Sequence, residues 1–143
     1  MEFVVIGGLA LVLHGATAST QDVDVAIRRD QENVDRLVRA LKPFDPRPAD
    51  YPPELPFIWD AQTVRNLSFM TLTTSLGRLD ILTEPPGVSS YQQLKVGAIQ
   101  VEVRGTTWSV ASIDDLIAMK LAVGRPKDLL HIAELRSIQA ETP

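Results

Sequence analysis

Two aspartates, Asp22 and Asp24, follow a glycine pair, Gly7-Gly8, within the run VVIGGLALVLHGATASTQDVDVAI from Val4 to Ile27. Strand side chains alternate between faces, so residues two apart share one face. Both carboxylates should therefore point the same way, toward whatever the glycines border. Like charges held that close resist joint ionisation. A divalent cation removes the cost, and hard oxygen ligands suit Mg²⁺ or Mn²⁺. Glycines beside a helix start let backbone N–H groups approach a phosphate. The chemistry implied is a metal-and-triphosphate site. Neither the D-x-D pair nor the glycines carry that reading alone, since acidic strand ends and tight turns are common. The combination, in this order with a helix between, is much more specific.

A third carboxylate, Asp80, sits in Gly77-Arg78-Leu79-Asp80-Ile81-Leu82 between apolar neighbours. A charge among core-type residues needs a reason to be there. An outward position on a half-exposed strand would supply one. So would a strand lying beside that of Asp22 and Asp24, which would bring three carboxylates together, enough to hold one or two Mg²⁺ with substrate phosphates. Lys120, Arg125, Lys127 and Asp128 form a further group near a helix break. Basic residues are favoured at helix C-termini in any case. In a functional reading, Lys120 or Arg125 contacts triphosphate oxygens. Thr20 has a hydroxyl placed either for local capping or for a phosphate. His14 and His131 lie in helical stretches away from ligand-spaced partners and read as packing or surface residues. Trp59 and Trp108 read as core or rim.

The elements that must position these groups follow from periodicity. Phe3 to Ile6 reads as a buried strand, Leu9 to His14 as a helix ended by Gly15, and Thr20 to Ile27 as the next strand. Asp30 is placed to cap a helix over Gln31 to Leu41, where Val34, Leu37, Val38 and Leu41 recur at helical spacing. Lys42 to Pro56 holds Pro43, Pro46, Pro48, Pro52, Pro53 and Pro56. It reads as a loop, of a length typical of lids and binding segments. Leu67 to Thr74 and Arg78 to Leu82 suit two strands around the turn Ser75-Leu76-Gly77. Ser90 to Val96 suits a short helix. Ile99 to Val103 and Thr107 to Val110 suit a hairpin about Arg104-Gly105. Ser112 and Asp115 make a capping box for a helix that Gly124 breaks, and Pro126 starts the last helix at its favoured first-turn position.

The chain has 143 residues, a length that suits one domain over 1–143 with a sizeable core. Its 18 acidic and 14 basic residues give a net charge of −4. That does not favour a general nucleic-acid binder, though local basic patches remain compatible with it. There are no cysteines, so disulfides, zinc thiolates and cysteine nucleophiles are excluded. No apolar run is long enough to span a bilayer, and no signal-like segment opens the chain, which fits the cytoplasm. Glu2 to Ile6 already reads as a core strand, so either an upstream helix is missing or the gene starts close to the fold.

The pattern Gly-Gly-x-Ala, Gly15, Thr20-x-Asp22-x-Asp24 and then Asp80 resembles the nucleotidyltransferase superfamily related to DNA polymerase β. More narrowly, the chain is similar to small bacterial nucleotidyltransferase-like proteins that include the toxins of type IV toxin–antitoxin systems. The run from Val110 to Leu135 resembles their closing segment. The resemblance implies an α+β nucleotidyltransferase fold, a mixed β-sheet with helices packed mainly on one face. It implies metal ligation by Asp22, Asp24 and Asp80, triphosphate binding at Gly7 and Gly8, a phosphate-side lysine at Lys120, and a closing-motif acid at Asp128. Two departures stand out. Relatives carry Arg where Ala18 stands, and Ser where Gly8 stands.

The activity expected is Mg-dependent transfer of an NMP from a nucleoside triphosphate to an acceptor hydroxyl, with release of pyrophosphate. The acceptor would be an RNA end such as a tRNA, a protein or a small molecule. The alternative is a non-catalytic nucleotide-binding module of the same fold, or one half of a toxin–antitoxin pair with a cognate antitoxin as partner. A phosphatase or glycosyltransferase reading of D-V-D-V ranks below both, because Ser19-Thr20-Gln21 is not an apolar lead-in to Asp22.

Overall fold

The computed structural model describes residues 1–66 and 68–141. Its elements run β1 (Phe3–Ile6), α1 (Gly7–Leu13), β2 (Val23–Ile27), α2 (Gln31–Leu41), a 3₁₀ turn (Lys42–Phe44), β3 (Arg47–Pro48), α3 (Ala61–Arg65), β4 (Phe69–Thr74), β5 (Gly77–Leu82), α4 (Tyr91–Gly97), β6 (Ile99–Val103), β7 (Thr106–Val110), α5 (Ile113–Val123) and α6 (Pro126–Glu141). The strands form one seven-stranded mixed sheet in the order β3-β4-β5-β2-β1-β7-β6. β1 pairs antiparallel with β2 and parallel with β7, while β2 pairs parallel with β5. The fold is the expected α+β arrangement.

Two apolar cores sit against the sheet. The larger joins β1, Ala26 of β2 and Val110 of β7 to α1, α4, α5 and α6. The smaller joins Val25 and Ile27 of β2, Met70 and Leu72 of β4 and Ile81 of β5 to α2 and α3. Strand alternation explains the division. Val25 and Ile27 turn to one face of β2, and Asp24 and Ala26 turn to the other. The same parity on β5 puts Asp80 and Leu82 on the Asp24 face.

Local sequence accounts for most boundaries. Asp30, Ser90 and Ser112 cap α2, α4 and α5, each accepting a backbone N–H three residues on. Gly124 takes the left-handed conformation that ends α5, and Pro126 opens α6. Trp59 donates its indole N–H to Val38 O at 3.0 Å and packs on the smaller core, and Trp108 packs on the larger.

Four expectations are adjusted. Helix α1 starts at Gly7 itself, not after the glycines. Strand β2 starts at Val23, so Thr20 and Asp22 lie in the connection before it. In the segment expected from Leu67 to Thr74, Leu67 lies outside the described residues and the strand begins at Phe69. The proline-rich stretch is not all loop, because Arg47 and Pro48 pair with Thr73 and Leu72 as an edge strand, where proline is tolerated. Beyond β3 the chain folds back on itself. Arg47 donates to Pro52 O and Leu55 O at 3.2 and 2.8 Å, and Tyr51 Oη donates to Pro56 O at 2.8 Å.

Candidate active site

The parallel register of β2 and β5 places Asp24 directly beside Asp80. The antiparallel register of β1 and β2 places Ile6, the residue before the glycines, on the other side of Asp24. Two acids far apart in sequence thus meet at the point where β1 turns into α1. Both face a cavity of about 540 Å³ that is also lined by Gly7, Gly8, Thr20, Asp22, Lys120 and Arg125. Every predicted site residue borders this one space.

Gly7 is fixed there by two independent facts. Its φ of +66° lies in the left-handed region, and a Cβ built on it would fall 1.9 Å from Asp24 Oδ2. No side chain fits between the helix start and the carboxylate. At Gly8 a Cβ would fall 2.9 Å from Thr20 Cβ and 3.0 Å from its Oγ1. The Thr20 hydroxyl therefore sits against the bare Gly8 backbone. It donates to Asp22 O at 2.9 Å and accepts from Asp22 N at 3.3 Å, which shapes the approach to β2. The same connection is tied to α6, where Glu134 Oε1 accepts from Thr17 N at 2.7 Å and Thr17 Oγ1 at 3.0 Å.

Burial raises Asp24 to about 7; a hydrogen bond with Asp80 and the charges of Asp80 and Asp22 add to the rise, and Lys120 opposes it. Asp80 Oδ1 is buried with no hydrogen-bond partner among the described residues. Asp22 lies nearer the rim, with Arg78 Nε 3.9 Å from its Oδ1. Among the described residues no group of three His, Cys, Asp or Glu side chains is drawn together closely enough to form a metal cage. The structure thus brings two of the three carboxylates into direct contact and leaves the third outside that pair, nearer Arg78. The donors still fit a divalent cation. They are hard oxygens, the buried Asp80 Oδ1 needs a partner, and the rise of Asp24, set first by burial and then by the neighbouring carboxylates, is one that a cation would offset.

The opposite wall is basic. Buried Asp128 takes Lys120 Nζ at 3.2 Å, Arg125 Nε at 2.8 Å and the Arg125 backbone N–H at 3.1 Å. These contacts hold Asp128 well below the usual carboxylate range, the Arg125 hydrogen bond contributing most. They also fix both cations at the cavity edge. Lys127 lines the same wall.

Against the expectation of a packing or surface role, His131 lines this cavity with Nδ1 buried and without a partner among the described residues. Burial and the charge of Lys120 hold its pKa below the ordinary histidine value. Its spacing from Asp128, three residues along α6, was the available signal, since i and i+3 share a helix face. His14 is structural, with Nε2 2.8 Å from Ala111 O.

Residues 1–74 match the model of a family described as nucleotidyltransferase of unknown function (DUF6036). That segment carries the glycines, Thr20, Asp22 and Asp24, and stops short of Asp80, Lys120 and Arg125. No curated protein sequence matches the chain. The lincomycin-bound lincosamide antibiotic adenylyltransferase LnuA is similar in structure, with a TM-score of 0.60 at 16% identity over 96% of this chain and 87% of that one. A Thermotoga maritima protein described as a candidate nucleotidyltransferase (TM1012) gives 0.60 at 16% identity, over 95% and 82%. An antigenic nucleotidyltransferase-like protein from Paracoccidioides brasiliensis gives 0.57 at 15%, over 96% and 66%. At these identities the likeness is one of fold.

Proposed function

The chain belongs to this nucleotidyltransferase family, and from that premise we propose that it transfers a nucleoside monophosphate from a nucleoside triphosphate to an acceptor hydroxyl. The observation that carries the reading is the side-by-side placement of Asp24 and Asp80 at a glycine helix start, facing a basic wall. Acidic floor and cationic wall suit the two halves of a metal–triphosphate. The backbone at Gly7 and Gly8, open to close approach, and the Thr20 hydroxyl would cradle phosphate oxygens. Lys120 and Arg125 would meet the outer phosphates, already oriented by Asp128. Mg²⁺ or Mn²⁺, held by Asp22, Asp24 and Asp80, would neutralise phosphate charge and make the acceptor hydroxyl more acidic.

In the reaction, the acceptor oxygen bonds to the α-phosphorus from the side opposite the leaving group. The bond from that phosphorus to the oxygen bridging toward the β-phosphate breaks, and pyrophosphate departs. Asp80 takes the hydroxyl proton. Asp24 must be ionised to serve as a ligand, which a bound divalent cation would favour.

A second reading, a module that binds a nucleotide without transferring it, is favoured by the pairing of Asp22 with Arg78. One experiment separates the two. An α-labelled nucleoside triphosphate with Mg²⁺ is incubated with cell extract and either wild-type protein or Asp24→Asn. Labelled product that depends on Asp24 supports transfer. Bound nucleotide without label in either sample supports the module.

A further inference from the structure

The sheet beside Asp80 is covered on one face only. Met70 and Leu72 of β4 and Ile81 of β5 are buried in the smaller core, so Phe69, Thr71 and Thr73 of β4 face the side of Asp24 and Asp80. There Phe69 and Thr73 are exposed and Thr71 is half-buried. Phe69 is 54% exposed, although it is a large aromatic next to the cavity-lining Leu82. Thr71 pairs with Asp80, Thr73 pairs with Arg78, and Arg47 of β3 closes the edge beside Thr73. Arg47 stacks over Tyr51, 5.7 Å from the ring centroid, so the proline-rich segment forms the outer rim of this shelf.

Along the shelf three chemistries lie in line: an exposed aromatic ring at Phe69 beside Leu82, the Asp80 carboxylate, and the exposed Arg78 guanidinium. Each step is two strand residues, about 7 Å. A nucleoside 5′-phosphate presents the matching order of flat ring, sugar hydroxyl and phosphate. Aromatic faces stack bases, and a guanidinium suits a phosphate. The shelf is three strands wide, about 10 Å between the outer two. It has room for one nucleotide, not a polynucleotide track, and the chain's net charge of −4 opposes a polyanion.

We propose that this shelf binds the acceptor, and that the acceptor is a free nucleoside 5′-phosphate whose ribose hydroxyl is presented to Asp80. The proposal rests on the transfer reading above, and the product would be two nucleotides joined by a phosphodiester. Arg78 would leave Asp22 for the acceptor phosphate.

The test is binding, not turnover. Wild-type protein is first saturated with Mg²⁺ and an α,β-methylene triphosphate, then titrated calorimetrically with nucleoside 5′-monophosphates. The expected result is saturable binding that weakens at least about 5-fold in Phe69→Ala and about 10-fold in Arg78→Gln, while Phe69→Ala holds the triphosphate analogue as the wild type does. Analogue bound but no monophosphate bound overturns the shelf and leaves the transfer reading standing. No analogue bound overturns the transfer reading itself. Tighter, Phe69-dependent binding of a single-stranded RNA 3′ end overturns the free-nucleotide assignment. If Phe69→Ala fails to fold by circular dichroism, Phe69→Leu, which keeps the apolar bulk and removes the ring face, is titrated in its place.

Discussion

Asp128 and Asp24 line one cavity and are opposites. Asp128 is wholly buried and receives hydrogen bonds from Lys120, Arg125 and a backbone N–H. Asp24 is partly buried against a second carboxylate whose Oδ1 has no partner among the described residues. One acid is satisfied by its own chain and pushed toward ionisation; the other is crowded and pushed toward protonation. A carboxylate completed from within holds a wall in place. A carboxylate crowded beside another is relieved by a shared proton or by a bound cation.

That contrast is broken most directly at Asp128. Asp128→Asn removes the charge that holds Lys120 and Arg125, at a cost of about 3 kcal/mol, or roughly 10 °C in thermal midpoint. Asp24→Asn at neutral pH should unfold at or above the wild-type midpoint, because it removes a repulsion. Equal losses in the two variants, followed by thermal denaturation, would show that the two acids are alike after all.

Gly7→Ala is next in size. Its methyl group would meet Asp24 Oδ2, and positive φ adds its own strain. A loss of about 2 kcal/mol is expected, together with loss of Mg²⁺-dependent nucleotide binding in a fluorescence titration. Unchanged binding in a folded variant would mean that the helix start does not touch the ligand.

The smallest effect is a slope with pH. Asp24 titrates near 7 in the folded chain against 3.8 as its ordinary value. Between those values the folded state keeps a proton that the unfolded state has lost, so stability falls as pH rises through that window. Asp128 behaves in reverse: its stabilisation is present above the ordinary carboxylate value and is lost only in stronger acid. His131, with its pKa lowered, favours the folded state as pH rises through 6.5 and partly masks the Asp24 slope. The readout is therefore the difference between wild type and Asp24→Asn from about pH 5 to about pH 8. The wild type should lose midpoint relative to the variant as pH rises, and Mg²⁺ should restore it. Parallel curves would remove Asp24 from the account.

Much of this arrangement was legible in the chain. Strand β1 and helix α2 fall where periodicity and the Asp30 cap put them, because each signal is local. The pairing of Asp24 with Asp80 was a condition, not a deduction, since register between distant strands is set by which faces find cores. Helix α3 escaped notice because five residues after a proline-rich stretch carry no period, although Asp60 caps it through Thr63 N. Strand β3 was hidden by Pro48, which reads as a breaker until an edge position is granted to it. His131 is hidden because its i, i+3 relation to Asp128 points to the site only once Asp128 is known to form the cavity wall.

The parallel pairing of β2 with β5 also bears on how the protein comes into being at the ribosome. The first half-site is translated early, with the glycines and Asp24. Its companion acid arrives only at residue 80, after two helices and the proline-rich segment have emerged. A nascent or clipped chain ending before β5 would carry the segment that matches the family and only one of the two paired acids. The meeting of the two acids is thus a property of the zipped sheet, and the basic wall of Lys120 and Arg125 is translated later still.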